Sequence, residues 1–352
     1  MSENRKSVNG IQYLRAYAAI LVVLNHFCNN IYFLSEKLML DKIGGFGVDI
    51  FFIISGFIMA YTLSDFNNTS NKSAAISFIK RRILRIYPIY LIILVPIVLM
   101  YFLKVYLKVT DFSLYSLIGS ILLIPDFTSN PHYHMLLQPA WTLVYEMFFY
   151  LTLSLTILFS KNKASSIINY SVILFVAIAL VHLFNLQGNR LGWVNMHYMI
   201  GDPIFLDFIL GFVLYSIHKS SLSINIPTWT MLPLLATLTI IAMYLASLGL
   251  PRIICFGLTS FVIVSIFTLN EPMKKSKNKK LLFLGAASYA IYLTHPLLFP
   301  FHIMLNNHFP WMFKYGFLDF LFAIVAILIG CLTHNKIEIK IDNYIKTKQH
   351  KS

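Results

Sequence analysis

Stretches of about 20 mostly apolar residues, each long enough to cross a bilayer as a helix, recur ten times along this chain. They lie near residues 11–30, 44–63, 86–105, 141–160, 167–186, 203–218, 229–249, 252–270, 281–305 and 316–334. Composition enters as a check: 58% of the 352 residues are apolar and 12% are charged, about half the charged share of a soluble domain. In lipid the backbone must satisfy its own polar groups, so helices are expected throughout. The chain therefore reads as an all-α, polytopic membrane protein with about ten transmembrane helices. A soluble enzyme and a disordered chain are excluded. Three scattered cysteines, Cys28, Cys255 and Cys331, are an odd number and imply no disulfide framework. The run 117–124 is too short to cross and is expected at the interface or as a re-entrant turn.

The net charge of +14 would suggest nucleic acid in a soluble protein. In a membrane protein it reports orientation, and no nucleic-acid partner is expected. With the N-terminus in the cytoplasm, the inner segments hold 20 of the 28 Lys and Arg residues. The outer segments hold seven: Lys37, Lys42, Lys104, Lys108, Arg190, Arg252 and Lys314. Both termini are thus expected inside. Residues 1–352 read as a single transmembrane domain, with a core over 11–334 and a short basic cytoplasmic tail over 335–352. Arg5 and Lys6 followed by the apolar run 16–24 resemble a signal peptide. Arg15 interrupts the flank and no small-x-small site follows, so the segment reads as a retained first span. The Asn67-Asn68-Thr69 triplet falls on the inner side, where it carries no glycan. The lysine run 274–280 reads as an orientation signal or a contact with membrane lipids.

Ionisable residues inside spans cost about 2.5–3.5 kcal/mol each on insertion scales and so ask for a reason. Arg15 and His26 share one face of the first helix, separated by about 16 Å of rise. The second span runs inward from Gly44 and puts Asp49 about 7 Å below the outer boundary, and the fourth, from Trp141, puts Glu146 at a similar depth. His295 lies about 21 Å up a ninth span crossing a layer of roughly 30 Å. His26, Asp49, Glu146 and His295 therefore fall in one outer-third layer. Each alone reads as a packed or interfacial residue; four at one depth read as a polar chamber.

A second basic feature is FIKRRILRIYPIY, residues 78–90. It reads either as an ordinary positive-inside anchor or as an anion site. Arg82 and Arg85, at i and i+3, share a helical face and can clamp a phosphate. In GGFGVDIFFIISGF (44–57), the glycines allow either close helix packing or approach of backbone to a ligand. His132 and His134 lack acidic neighbours, and no metal is expected.

Five blocks together resemble the acyltransferase-3 family of integral membrane acyltransferases: YLRAYAAILVVLNHF (13–27), GGFGVDIFFIISGF (44–57), KRRILRIYPIY (80–90), PAWTLVYEMFFY (139–150) and SYAIYLTHP (288–296). The resemblance implies a ten-helix core that takes an acetyl group from cytoplasmic acetyl-CoA, the co-substrate, to a hydroxyl of an extracytoplasmic glycan. It also implies that Arg15 with His26, and Arg82 with Arg85, are functional. Family members often carry Ile-Glu-x-Pro after the last helix. Here Ile337-Glu338-Ile339-Lys340 lacks the proline, which removes the basis for a role of Glu338.

Residues and resemblance lead to one expected mechanism. Arg82 and Arg85 hold the nucleotide end of acetyl-CoA, with Arg15 on a phosphate or the pantetheine arm. Neutral His26 acts as general base on the acceptor hydroxyl. Asp49 or Glu146 orients its ring, and His295 positions the sugar or donates to the oxyanion. Usage rich in Lys, Ile and Asn fits an AT-rich bacterial gene, hence a bacterial inner membrane and an O-antigen (lipopolysaccharide), capsule or lipid-linked glycan as acceptor. A proton-coupled transporter or flippase of a glycan precursor is the alternative, because buried ionisable groups also serve carriers. Oligomeric state is open.

Overall fold

The computed structural model describes residues 9–28, 39–66, 69–220 and 222–349. Arg5, Lys6, Lys37, Lys351, the Asn67–Asn68 pair and the last two residues of the first apolar window lie outside them. The described residues are mostly helical and contain no strand, only two isolated bridges. Among the described residues, eight helices are long and apolar enough to cross a membrane, as befits a multi-pass membrane protein. Of the ten expected spans, eight are matched among these residues by a helix of full spanning length. The window near 203–218 forms a helix of 15 residues, and that near 252–270 forms a π turn of five residues followed by 12 in α-helix. At 1.5 Å per residue both fall short of a layer of about 30 Å.

The chain divides into two compact units, Met1–Tyr61 with Ile204–His334 and Thr62–Pro203 with Asn335–Ser352. The first is built from α1 (Asn9–Cys28), α2 (Leu40–Leu63) up to Tyr61, α7 (Phe205–Lys219), α8 (Met231–Ser247), α9 (Leu258–Leu269) after the π turn Ile253–Gly257, α10 (Lys279–Thr294), α11 (Phe299–His308) and α12 (Phe317–Thr333). Leu14, Ala18, Phe46, Ile50, Phe57 and Phe267 pack one core cluster; Ala19, Val23, Phe27, Ala287, Ile291 and Ala323 pack a second. Both draw on α1, the helix that carries His26. α10 starts under an Asn278 cap whose Oδ1 accepts from the Lys280 and Leu281 amides, each at 3.2 Å. It stops at Thr294, because Pro296 has no amide to continue the ladder. A 3-10 turn, His295–Leu298, then leads into α11.

The second unit holds α3 (Asn71–Tyr106), α4 (Leu114–Leu122), α5 (Trp141–Phe159), α6 (Lys163–Leu183) and α13 (Ile339–Gln349). α3 runs 36 residues, with Ser70 capping the Ser73 amide. The helix thus begins at Asn71, well before the window near 86, and the basic segment lies inside it. Ala74, Ala75 and the Lys and Arg residues are good helix formers. α4 has nine residues, in keeping with a segment too short to cross. Asn162 and Ser165 close a reciprocal capping box on α6, which fixes its start. Residues 339–349, read from sequence as a tail, form a helix.

Candidate active site

In the first unit, the last turn of α1 carries His26 and the 3-10 turn after α10 carries His295, bringing the two imidazoles to 5.0 Å between centroids at 45°. Nδ1 of His26 lies 2.9 Å from the Val22 carbonyl, and Nδ1 of His295 lies 3.2 Å from that of Ile291. A carbonyl only accepts, so each Nδ1 carries the hydrogen and each neutral ring keeps its lone pair on Nε2. His295 is fully buried, and its Nε2 has no hydrogen-bond partner among the described residues. Phe299 lies 5.4 Å from the His26 ring and 5.6 Å from the His295 ring. Tyr292 lies 5.9 Å from His295. The pair can take a proton from a hydroxyl, or accept its hydrogen bond, in an apolar surround. The carbonyl of Val22, one turn back on α1, supplies the orientation expected of a carboxylate.

Asp49 is fully buried on α2 and is engaged by Arg252. Nε of Arg252 donates to Oδ1 and Oδ2 at 3.3 and 3.1 Å, and its Nη2 reaches Oδ2 at 2.5 Å and the Gly45 carbonyl at 3.2 Å. Arg252 was read only as one of seven outer-side charges. Its place at the head of an apolar window gave no signal of a partner two hundred residues earlier. The glycines of α2 resolve towards helix packing: a Cβ on Gly56 would strike the Phe208 backbone of α7, and one on Gly47 would meet the Ala18 carbonyl of α1 at 2.7 Å. Arg15 donates to Gln12 Oε1 at 3.5 Å.

A pair the sequence reading passed over lies in the same unit. His302 Nε2 and Asp319 Oδ1 are 2.7 Å apart, at 6% and 3% exposure. Both sit in apolar windows, so the criterion that singled out Asp49 would have found them.

In the second unit, Arg82 Nη2 donates to Thr62 Oγ1 at 2.9 Å, and its guanidinium lies 5.6 Å from the Phe78 ring and 5.9 Å from the Tyr150 ring. Tyr150 donates to Glu146 Oε2 at 3.0 Å. By depth along the spans, Glu146 belonged near the outer boundary and Arg82 at the inner mouth; the structure gathers them in one cluster. The reason is the early start of α3, which sets Arg82 three turns inside a helix. Arg85 faces elsewhere, to Asp342 at 3.2 Å and Glu338 at 3.4 Å. Glu338, which had lost its case with the missing proline, is 2% exposed and pairs with Arg85.

A family model described as an acyltransferase domain, that of acyltransferase-3, matches residues 8–335, and the chain belongs to that family. It is also similar to the acyltransferase MdmB of Streptomyces mycarofaciens, 27% identical over 149 residues. That match covers 40% of this chain and 37% of the relative. No solved structure matches the chain.

Proposed function

We propose that this protein is a membrane O-acetyltransferase, moving an acetyl group from cytoplasmic acetyl-CoA to a hydroxyl of an extracytoplasmic glycan at the bacterial inner membrane. The observation that carries the reading is the histidine pair, whose Nδ1 atoms are tied to carbonyls so that basic Nε2 atoms remain. His26 Nε2 takes the hydroxyl proton as the oxygen attacks the thioester carbonyl. The tetrahedral intermediate expels the coenzyme thiolate, which recovers the proton from the imidazolium. General-base assistance of this kind contributes about 10²–10⁴-fold. His295 accepts a hydrogen bond from the acceptor, the role its buried Nε2 suits. In the other unit Arg82 and Arg85 serve the phosphates of the coenzyme, exchanging present partners for a dianion that binds guanidinium in bidentate fashion. Glu146, tied through Tyr150, sets the geometry around Arg82. Arg15 contacts the donor, and Asp49 fixes α2 through Arg252. No metal takes part. Surface glycan such as O-antigen or capsule is the favoured acceptor. The test is NMR of surface polysaccharide from cells with and without this protein. O-acetyl ester signals that vanish with the protein support the reading; identical spectra count against a glycan acceptor.

A further inference from the structure

A carboxylate buried in a membrane protein is expensive, and an apolar pair of similar volume often serves stability as well as an ion pair does. His302 and Asp319 therefore need a reason beyond cohesion. The rings around them supply one. Phe27 lies 5.3 Å from His302 and 5.4 Å from Phe299, which itself touches both His26 and His295. Phe322 and Phe313 close on His302 from 5.1 and 5.2 Å. Asp319 is thus joined to the reactive histidines through aromatic rings, of which Phe27 and Phe313 are buried, and a charge in such surroundings acts at a lower effective dielectric than in water. Resting on the reading of His26 as base, we infer that Asp319, hydrogen-bonded to His302, is the countercharge for the imidazolium that forms in the His26–His295 pair.

The carboxylate accepts the Nε2–H of His302, which holds it facing the cluster instead of drawing in water. Asp319 supplies the negative charge of the pair. It stabilises His26 once that ring has taken the acceptor's proton and contributes nothing before. The other ionisable groups on elements packed around His26 do not fill this role. On α1 Arg15 is a cation, Tyr13 and Tyr17 are phenols and Cys28 is buried; on α10 and its turn stand Lys279, Lys280, Tyr289, Tyr292 and His295, and on α11 His308, none of them a carboxylate. On α2, Asp41 and Lys42 are exposed, and Asp49 is held by Arg252. Asp319 is a positioning residue in this scheme, not one that touches substrate.

The experiment follows release of coenzyme thiol from acetyl-CoA by membrane vesicles carrying the full-length protein and the host's own surface glycan, as a function of pH. Asp319→Asn keeps an acceptor for His302 and removes the charge. At an effective dielectric near 20 and a separation on the order of 10 Å, the charge is worth about one pH unit, or about tenfold in rate. The plateau rate is expected to fall by about tenfold and the acidic limb to move about one unit lower, with KM for acetyl-CoA unchanged. Asp319→Glu, which restores the charge, is expected to hold the limb at its wild-type position, and it keeps the test open should Asp319→Asn fail to insert. Wild-type rate and limb in Asp319→Asn, or a displaced limb in Asp319→Glu, overturns the inference. His26→Ala run alongside separates the two levels: inactive, it leaves the base assignment standing whatever Asp319 does; active, it removes both.

Discussion

Arg252 reaches Asp49 with two nitrogens and adds a bond to the Gly45 carbonyl, while the carboxylate is wholly inside the protein. Truncating one partner of a buried pair leaves the other charge uncompensated, at a cost of up to about 3–5 kcal/mol. Arg252→Gln is accordingly expected to lower the unfolding temperature in detergent more than the double variant Asp49→Asn/Arg252→Gln, in which no charge is stranded. Equal losses in the two would deny the pair its role. The same residues mark where reading along a chain stops. An aspartate in an apolar window is conspicuous, and so were His26 and His295, since each breaks the composition around it. Their partners were not, because pairing depends on which helices meet. A histidine tied to the carbonyl four residues back is a local event, yet it displaced the carboxylates expected to orient the ring.

At the scale of elements, glycines decide how closely α2 can lie against its neighbours in the first unit. Gly56 meets the backbone of Phe208, and Gly211 on α7 meets the backbone of Ile53 and Phe57. Adding side chains there has no flexible neighbour to displace, so Gly56→Val is expected to push α2 and α7 apart and cost about 1–3 kcal/mol or more through overpacking. Yield of inserted protein and its thermal transition measure this; a variant as stable as the parent would show that the approach has slack. Whether those glycines served packing or a ligand could not be read from spacing, because both need the same missing Cβ. Helix existence was legible and helix ends were not. α3 overran its apolar window because lysine and arginine extend a helix as readily as leucine, and that overrun moved Arg82 to a different set of neighbours.

Over the described residues the molecule is all-helical, with eight helices long and apolar enough to cross a membrane. That class follows from the mean composition, which no local detail disturbs. The two remaining apolar windows, 203–218 and 252–270, were the marginal ones in length, and the helices in them follow the windows closely, the second opening on a π turn. Family membership follows from five blocks in order and is matched over residues 8–335. Function at this scale comes down to whether a histidine at the end of α1 moves the proton that acyl transfer requires. The most direct measurement is acetyl-CoA turnover by vesicles bearing the full-length protein and the glycan fraction that carries O-acetyl esters, compared with His26→Ala. Turnover that depends on the glycan and is lost by at least about 10²-fold in the variant, with insertion and acetyl-CoA binding retained, is the expected result. His26→Ala turning over acetyl-CoA at the parent's rate would contradict it.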